Sequence, residues 1–396
     1  HSHYADAGYV GTFLAGQLGV PLVHTGHSLG RVKRRRLLAA GLDREKLETQ
    51  FKMSRRIAAE EMTLAGADLV VTSTQQEVDA QYGLYDYYRP EQKRVIPPGV
   101  DLERFFPPVD EDRDQPIRQE IERFLREPDQ PMILALSRPD LRKNITTLVA
   151  AFGQSRQLQD MANLVVVAGT RDDIEEMEEG SRKVIENVLH SVDRHDLYGK
   201  VAYPKHHRPE DVPVLYRLAA ASQGVFVNPA LTEPFGLTLL EAAASGLPIV
   251  ATDDGGPTDI IANCRNGELI DPLDVANIAV ALERILADRV RWQEMATSGL
   301  EGVRRHYSWE AHTEAYLAEV VAETNRLRPD IILISGDLVD SDVALLPGVL
   351  SPLSDLDAPS FFVGGNHENY VDTERAFELI SRHGVRILHN EAVETH

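Results

Sequence analysis

The recurrence of short apolar runs between amphipathic stretches constrains this chain more than any other feature. The runs "PLVHTG" (21–26), "DLVVTS" (68–73), "RVIPPG" (94–99), "MILALS" (132–137), "NLVVVAG" (163–169), "VAYP" (201–204), "GVFVNP" (224–229) and "PIVAT" (248–252) read as strands. Helical patterns intervene at 49–65, 145–157, 211–222, 237–245 and 274–287. Strands that alternate with helices predict a mostly parallel α/β sheet. The acidic, proline-containing "FPPVDEDRDQP" (106–116) and the break at "REPDQP" (126–131) mark a domain boundary. The expected organisation is a partial Rossmann-like domain over 1–125 and a complete one over 126–318. A further partial α/β segment follows at 319–396. "HSHYADAG" reads as if it stood just after a strand, so a chain without its natural N-terminus is expected.

Composition narrows the function. With 43% hydrophobic and 26% charged residues the chain is globular. It has no apolar run of the roughly 18 residues a membrane span needs and no recognisable secretion signal. Its single cysteine, Cys264, excludes a disulfide framework and fits a reducing compartment, so a cytoplasmic location is expected. A formal charge of −21 argues against nucleic acid or an anionic membrane as partner. An anionic substrate would need a local basic cluster, and "GRVKRRR" (30–36) and "SRPDLRKN" (137–144) are two candidates.

The second cluster follows a strand, which puts Arg138 and Lys143 at the carboxyl edge of the sheet, where open α/β sheets bind ligands. An arginine fork and a lysine charge suit a diphosphate leaving group. In "NPALTEPFGLTLLEAAASGLPIVATDDGGP" a strand, a loop and a helix start follow in turn. Glu233 sits at the loop tip and Glu241 inside the helix. Between them, free N–H groups around Phe235, Gly236, Leu237 and Thr238 can hold a phosphate or a sugar hydroxyl. Two carboxylates flanking such a turn suit a nucleotide sugar.

These two motifs resemble the donor half of retaining GT-B glycosyltransferases. "HSHYADAG", "TGHSLGRVKRRRLLAAGL", "RRIAAEE", "TSTQQEV", "QYGLYDYY" and "VIPPGVDLERF" narrow the resemblance to the sucrose-phosphate synthase family over residues 1 to about 318. Sucrose synthase is the nearest relative to exclude, and the basic "TGHSLGRVK" fits a phosphorylated acceptor better. The resemblance implies transfer of glucose from UDP-glucose to fructose 6-phosphate, with retained configuration and no cofactor. Arg138 and Lys143 would hold the diphosphate, Glu241 the ribose and Glu233 the glucose hydroxyls. Phe235, Gly236 and Leu237 would offer backbone groups to glucose. The backbone carbonyl of His27 would face the anomeric carbon. Lys33 would bind the acceptor phosphate, with Arg34–Arg36 weaker candidates whose competing reading is a solvated helical face. Asp6 would line the acceptor pocket or cap a local turn. His206 and His207 would approach the uracil or lie at the surface, and the acidic 110–114 reads as solvated charge. The family's segment before "HSHYADAG", with its Gly-rich loop, is not in this sequence, so donor binding is expected to survive better than turnover.

The tail raises a second chemistry. "IILISGD" and "FFVGGNHE", followed by "GVRILHNEAV", resemble the middle motifs of calcineurin-like metallophosphoesterases. On that resemblance Asp337 would bridge two divalent metals (Mn, Fe or Zn), Asn366 would bind one, and His367 would help protonate the leaving group. The family's opening Asp-x-His and closing Gly-His-x-His motifs have no counterpart, so a metal-free piece of another protein, joined at about 318–325, is expected. The rival functions are a metal-dependent phosphoesterase and a non-catalytic UDP-sugar-binding remnant. Donor carrier (UDP or ADP) and oligomeric state are left open by the sequence.

Overall fold

In the computed structural model the chain divides into two compact units, residues 1–304 and 305–396. The structure describes all residues except 40, 337, 339–345, 366, 390, 392 and 394–396. The first unit holds two parallel sheets. The smaller has the order β1 (Ser2–His3), β2 (Val23–Thr25), β3 (Leu69–Thr72), β4 (Lys93–Val95). The larger contains β5 (Met132–Ser137), β6 (Asn163–Ala168), β7 (Val201–Ala202), β8 (Val225–Asn228), β9 (Ile249–Thr252) and β10 (Gly267–Ile270), in the order β10-β9-β8-β5-β6-β7.

The composition of these strands follows from their position. Every residue of β6, β8 and β9 is buried, because helices cover both faces of the sheet. From β5 the chain winds outward one way to β6 and β7. It then returns to β8 and winds the other way, so the crevice between the carboxyl ends of β5 and β8 is a topological switch point. Both motif clusters leave the sheet there. This is the doubly wound, two-sheet GT-B arrangement expected from the sequence.

Several local features depart from the expectation. The predicted helix 49–65 is two helices, Arg44–Phe51 and Met53–Gly66, broken at Lys52, whose φ of 48° is left-handed. The predicted helix 145–157 is likewise divided, because Ser155 caps a second helix, Arg156–Met161, by accepting from Leu158 N–H. The acidic 110–114 is not simply solvated charge. Asp112 is buried, accepts from Val109 N–H at 2.9 Å and pairs with the buried Arg217 guanidinium at 2.8 Å. The segment leading into the larger sheet is therefore pinned to the helix Asp211–Ala221.

The second unit is a three-stranded parallel sheet of β11 (Ile332–Ile334), β12 (Ser360–Phe362) and β13 (Arg386–Ile387). Its core gathers Val321, Leu350, Phe362, Leu379 and Ile380. The helix Trp309–Arg326 begins at a Ser308 cap and runs through 318–325 without a break.

Candidate active site

The donor-side cluster assembles at the switch point. After β5, Arg138 stands exposed and Asp140 caps a single 3₁₀ turn, Leu141–Lys143. The Arg142 guanidinium, bonded to the Asp140 carboxylate, holds that carboxyl down to about 2. Asn144, left-handed at φ 54°, opens the next helix and donates to the carbonyls of Pro229 and Pro272 at 3.0 and 2.7 Å. The loop after β5 is thereby tied to the loop after β8. Lys143 Nζ then reaches Glu233 Oε2 at 2.6 Å, and Asn228 Nδ2 donates to the same oxygen at 3.0 Å.

Glu233 is fixed at its backbone as well. Its N–H donates to Asp254 O, and its carbonyl accepts from Gly256 N–H, both at 3.0 Å. The glycines of "DDGG" are required by this contact. A Cβ on Gly255 (φ 119°) would lie 1.9 Å from Glu233 O, and one on Gly256 would lie 2.1 Å from Phe235 O. Gly236, at φ 100°, turns the chain into the helix Leu237–Ala244, where Leu237 and Thr238 present the open N–H groups of the first turn. One turn inside, Glu241 Oε2 accepts from Tyr216 OH at 3.0 Å. Burial pushes the Glu241 carboxyl up, partly offset by that hydroxyl and by the Arg104 charge.

The smaller sheet faces this cluster across a cavity of about 350 Å³. His27, Lys33 and Arg36 line it from one side and Arg142, Pro234 and Phe235 from the other. His27 has a left-handed φ of 54°, and its Nε2 lies 2.8 Å from His3 Nδ1. Lys33 Nζ sits 4.9 Å from the Phe51 ring centre. Arg34 and Arg35 do not share this cavity. They line a separate one with Arg31 and Arg44, which separates them from Lys33. Asp6 borders a third cavity, with Lys52, Arg55 and Arg56. Two further bonds cross between the lobes: Gln76 Nε2 to Asp254 Oδ1 at 2.7 Å, and Gln75 N–H to Asp259 Oδ2 at 3.0 Å.

Some participants carried no sequence signal of their own. Asn228, Tyr216 and Asp254 support the two glutamates, yet each reads as an ordinary strand end, helix residue or turn. Gln75 and Gln76 stand in "TSTQQEV", which carried the resemblance without suggesting a role. His206 is exposed, and burial holds the His207 imidazole below its usual range. Cys264 is buried, its thiol pushed up to about 12, which makes it unreactive packing.

In the second unit Asp337 and Asn366 lie outside the described residues. Glu368, fully buried, accepts from Leu338 N–H at 2.8 Å and Gly365 N–H at 2.7 Å, joining the loops that follow β11 and β12. His367 is half-buried, with its ring 5.7 Å from that of Tyr370. Among the described residues no group of three or more His, Cys, Asp or Glu is placed to hold a metal ion. His367 alone does not make a metal site. Among the described residues no helix is long and apolar enough to cross a membrane.

Comparison with known proteins agrees with this geometry. Residues 1–104 match the model of Glycosyltransferase Family 4, residues 117–299 that of Glycosyl transferases group 1, and residues 306–393 that of Calcineurin-like phosphoesterase. The chain is 48% identical over 366 residues to sucrose-phosphate synthase 4 of Arabidopsis thaliana, covering 82% of this chain and 35% of that protein. It is 48% identical over 360 residues to the sucrose-phosphate synthase of Zea mays, covering 81% and 34%. The chain thus spans about a third of the length of these curated relatives. A solved sucrose-phosphate synthase from Thermosynechococcus elongatus superposes with a TM-score of 0.60 at 29% identity, covering 83% of this chain and 74% of that one. Anabaena HepE in complex with UDP superposes with a TM-score of 0.62 at 18% identity, covering 82% and 79%, a likeness of fold. The resemblances read from both parts of the sequence are borne out.

Proposed function

We propose that this chain, whose first unit is a GT-B glycosyltransferase fold similar to the sucrose-phosphate synthases, moves glucose from UDP-glucose to fructose 6-phosphate with retention. The products are sucrose 6-phosphate and UDP. The observation that carries the reading is the convergence of Lys143, Glu233 and the start of the helix Leu237–Ala244 at the switch-point crevice. In this reading Arg138 and Lys143 neutralise the diphosphate as the glycosidic bond breaks, the step with the largest electrostatic demand. Lys143 is already positioned by Glu233, so little reorganisation is needed when the leaving group develops charge.

Glu241 holds the ribose and Glu233 the glucose hydroxyls, with backbone groups of Phe235, Gly236 and Leu237 beside the sugar and Thr238 at the helix start. The His27 carbonyl faces the anomeric carbon. Lys33 meets the acceptor phosphate across the cavity it shares with Phe235, and Asp6 lies on the acceptor side. No cofactor takes part, and the reaction is placed in the cytoplasm. The test incubates the purified chain with UDP-glucose and fructose 6-phosphate and assays sucrose 6-phosphate. Product formation is expected. UDP binding without product would favour a donor-binding remnant.

The phosphoesterase family match over 306–393 supports a second reading for the second unit. It predicts Mn²⁺-dependent hydrolysis of a model phosphodiester that Asp337→Ala abolishes. Hydrolysis that Asp337→Ala leaves intact would remove that reading.

A further inference from the structure

We infer that Tyr216 is a positioning residue for the donor site: its hydroxyl fixes the plane of the Glu241 carboxylate so that Oε1 meets the ribose hydroxyls. The inference rests on the reading of Glu241 as the ribose ligand and extends it to a residue with no other evident purpose.

Tyr216 is fully buried on the helix Asp211–Ala221. Its ring packs edge-on between Phe105 and Phe226, with centroids 6.0 and 5.3 Å away. Phenylalanine would fill that aromatic nest equally well. A buried hydroxyl costs free energy unless it finds a partner, and the partner here is Glu241 Oε2 at 3.0 Å. The hydroxyl is therefore explained by the carboxylate and not by the packing.

The carboxylate gains a fixed orientation. The terminal torsion of a glutamate is broad and soft, so a half-buried Glu241 alone would present its oxygens over a range of angles. One bond to an immobile phenol removes that freedom. Glu241 Oε1 has no hydrogen-bond partner among the described residues, which leaves its lone pairs for a ligand donor in this proposal. The phenol is itself well anchored, because the neighbouring Arg217 clasps buried Asp112. A supporting shell of this kind converts a carboxylate into a directional acceptor.

The test measures, by calorimetry, the affinities of UDP and 2′,3′-dideoxy-UDP for the full chain and for its Tyr216→Phe and Glu241→Ala variants. The ratio of the two affinities cancels any loss of folded protein. The wild-type ratio should be about 10-fold or more, the value for one hydrogen bond to a charged acceptor. Tyr216→Phe should reduce it about 3-fold or more, and Glu241→Ala should bring it close to one. If Glu241→Ala collapses the ratio and Tyr216→Phe leaves it at the wild-type value, the positioning role is overturned while the ribose reading stands. If neither variant changes the ratio, Glu241 is not the ribose ligand and both fall.

Discussion

Lys143 joins two chemistries in one side chain: it is the ion-pair partner of Glu233 and the cation proposed for the diphosphate. Its removal should therefore weaken donor binding. UDP affinity measured by calorimetry should fall about 10- to 100-fold in Lys143→Ala, the range of a lost charge-assisted hydrogen bond. Arg138→Ala should fall by a similar factor. An unchanged UDP affinity in both variants would remove them from the donor site. His24 makes a prediction about stability. Burial, with the charges of His3 and His27, lowers its pKa from 6.5 to about 4. Between those values the unfolded chain takes up a proton that the folded chain refuses. Folding stability must then fall as pH falls from 6.5 towards 4, by about 3 kcal/mol in all. Denaturant midpoints across that range should show the acid limb in the wild type and a flatter one in His24→Gln. An identical limb in both would contradict the assignment.

At the level of elements, the sequence carried the parts whose cause is local. The apolar runs of β5, β6, β8 and β9 announced buried parallel strands, and "EPFG" announced a glycine turn into a helix. Arg138, Lys143 and Glu233 were legible as candidates because each stands in a loop after a strand end, and Glu241 because it lies one turn inside the helix that follows. What was not legible depends on partners far away in the chain. Asp112 looked solvated because its neighbours are charged, yet Arg217, 105 positions on, takes it into the interior. Tyr216 looked like any apolar helix residue until Glu241 was placed beside it. Lys52 ends a helix through a left-handed backbone angle that no composition rule indicates. The Asp112–Arg217 pair has a measurable consequence. Breaking one partner strands the other as a buried charge, so Asp112→Ala should cost about 3 to 5 kcal/mol in urea unfolding. A loss below about 1 kcal/mol would show that the pair is accessible to water.

For the whole molecule, the chain holds two units that match different families: a GT-B fold over 1–304 and a segment matching calcineurin-like phosphoesterases over 306–393. Glycosyl transfer as proposed needs only the first unit, with Arg138 and Lys143 in place of a metal. Sucrose 6-phosphate formation should accordingly be unchanged by EDTA and by Asp337→Ala, whereas strong inhibition by EDTA would require a metal in the donor site. If the crevice between β5 and β8 is a UDP-sugar site, the purified chain must bind UDP. Calorimetric titration should show saturable binding at one site per chain. No binding up to millimolar UDP would rule the crevice out as that site.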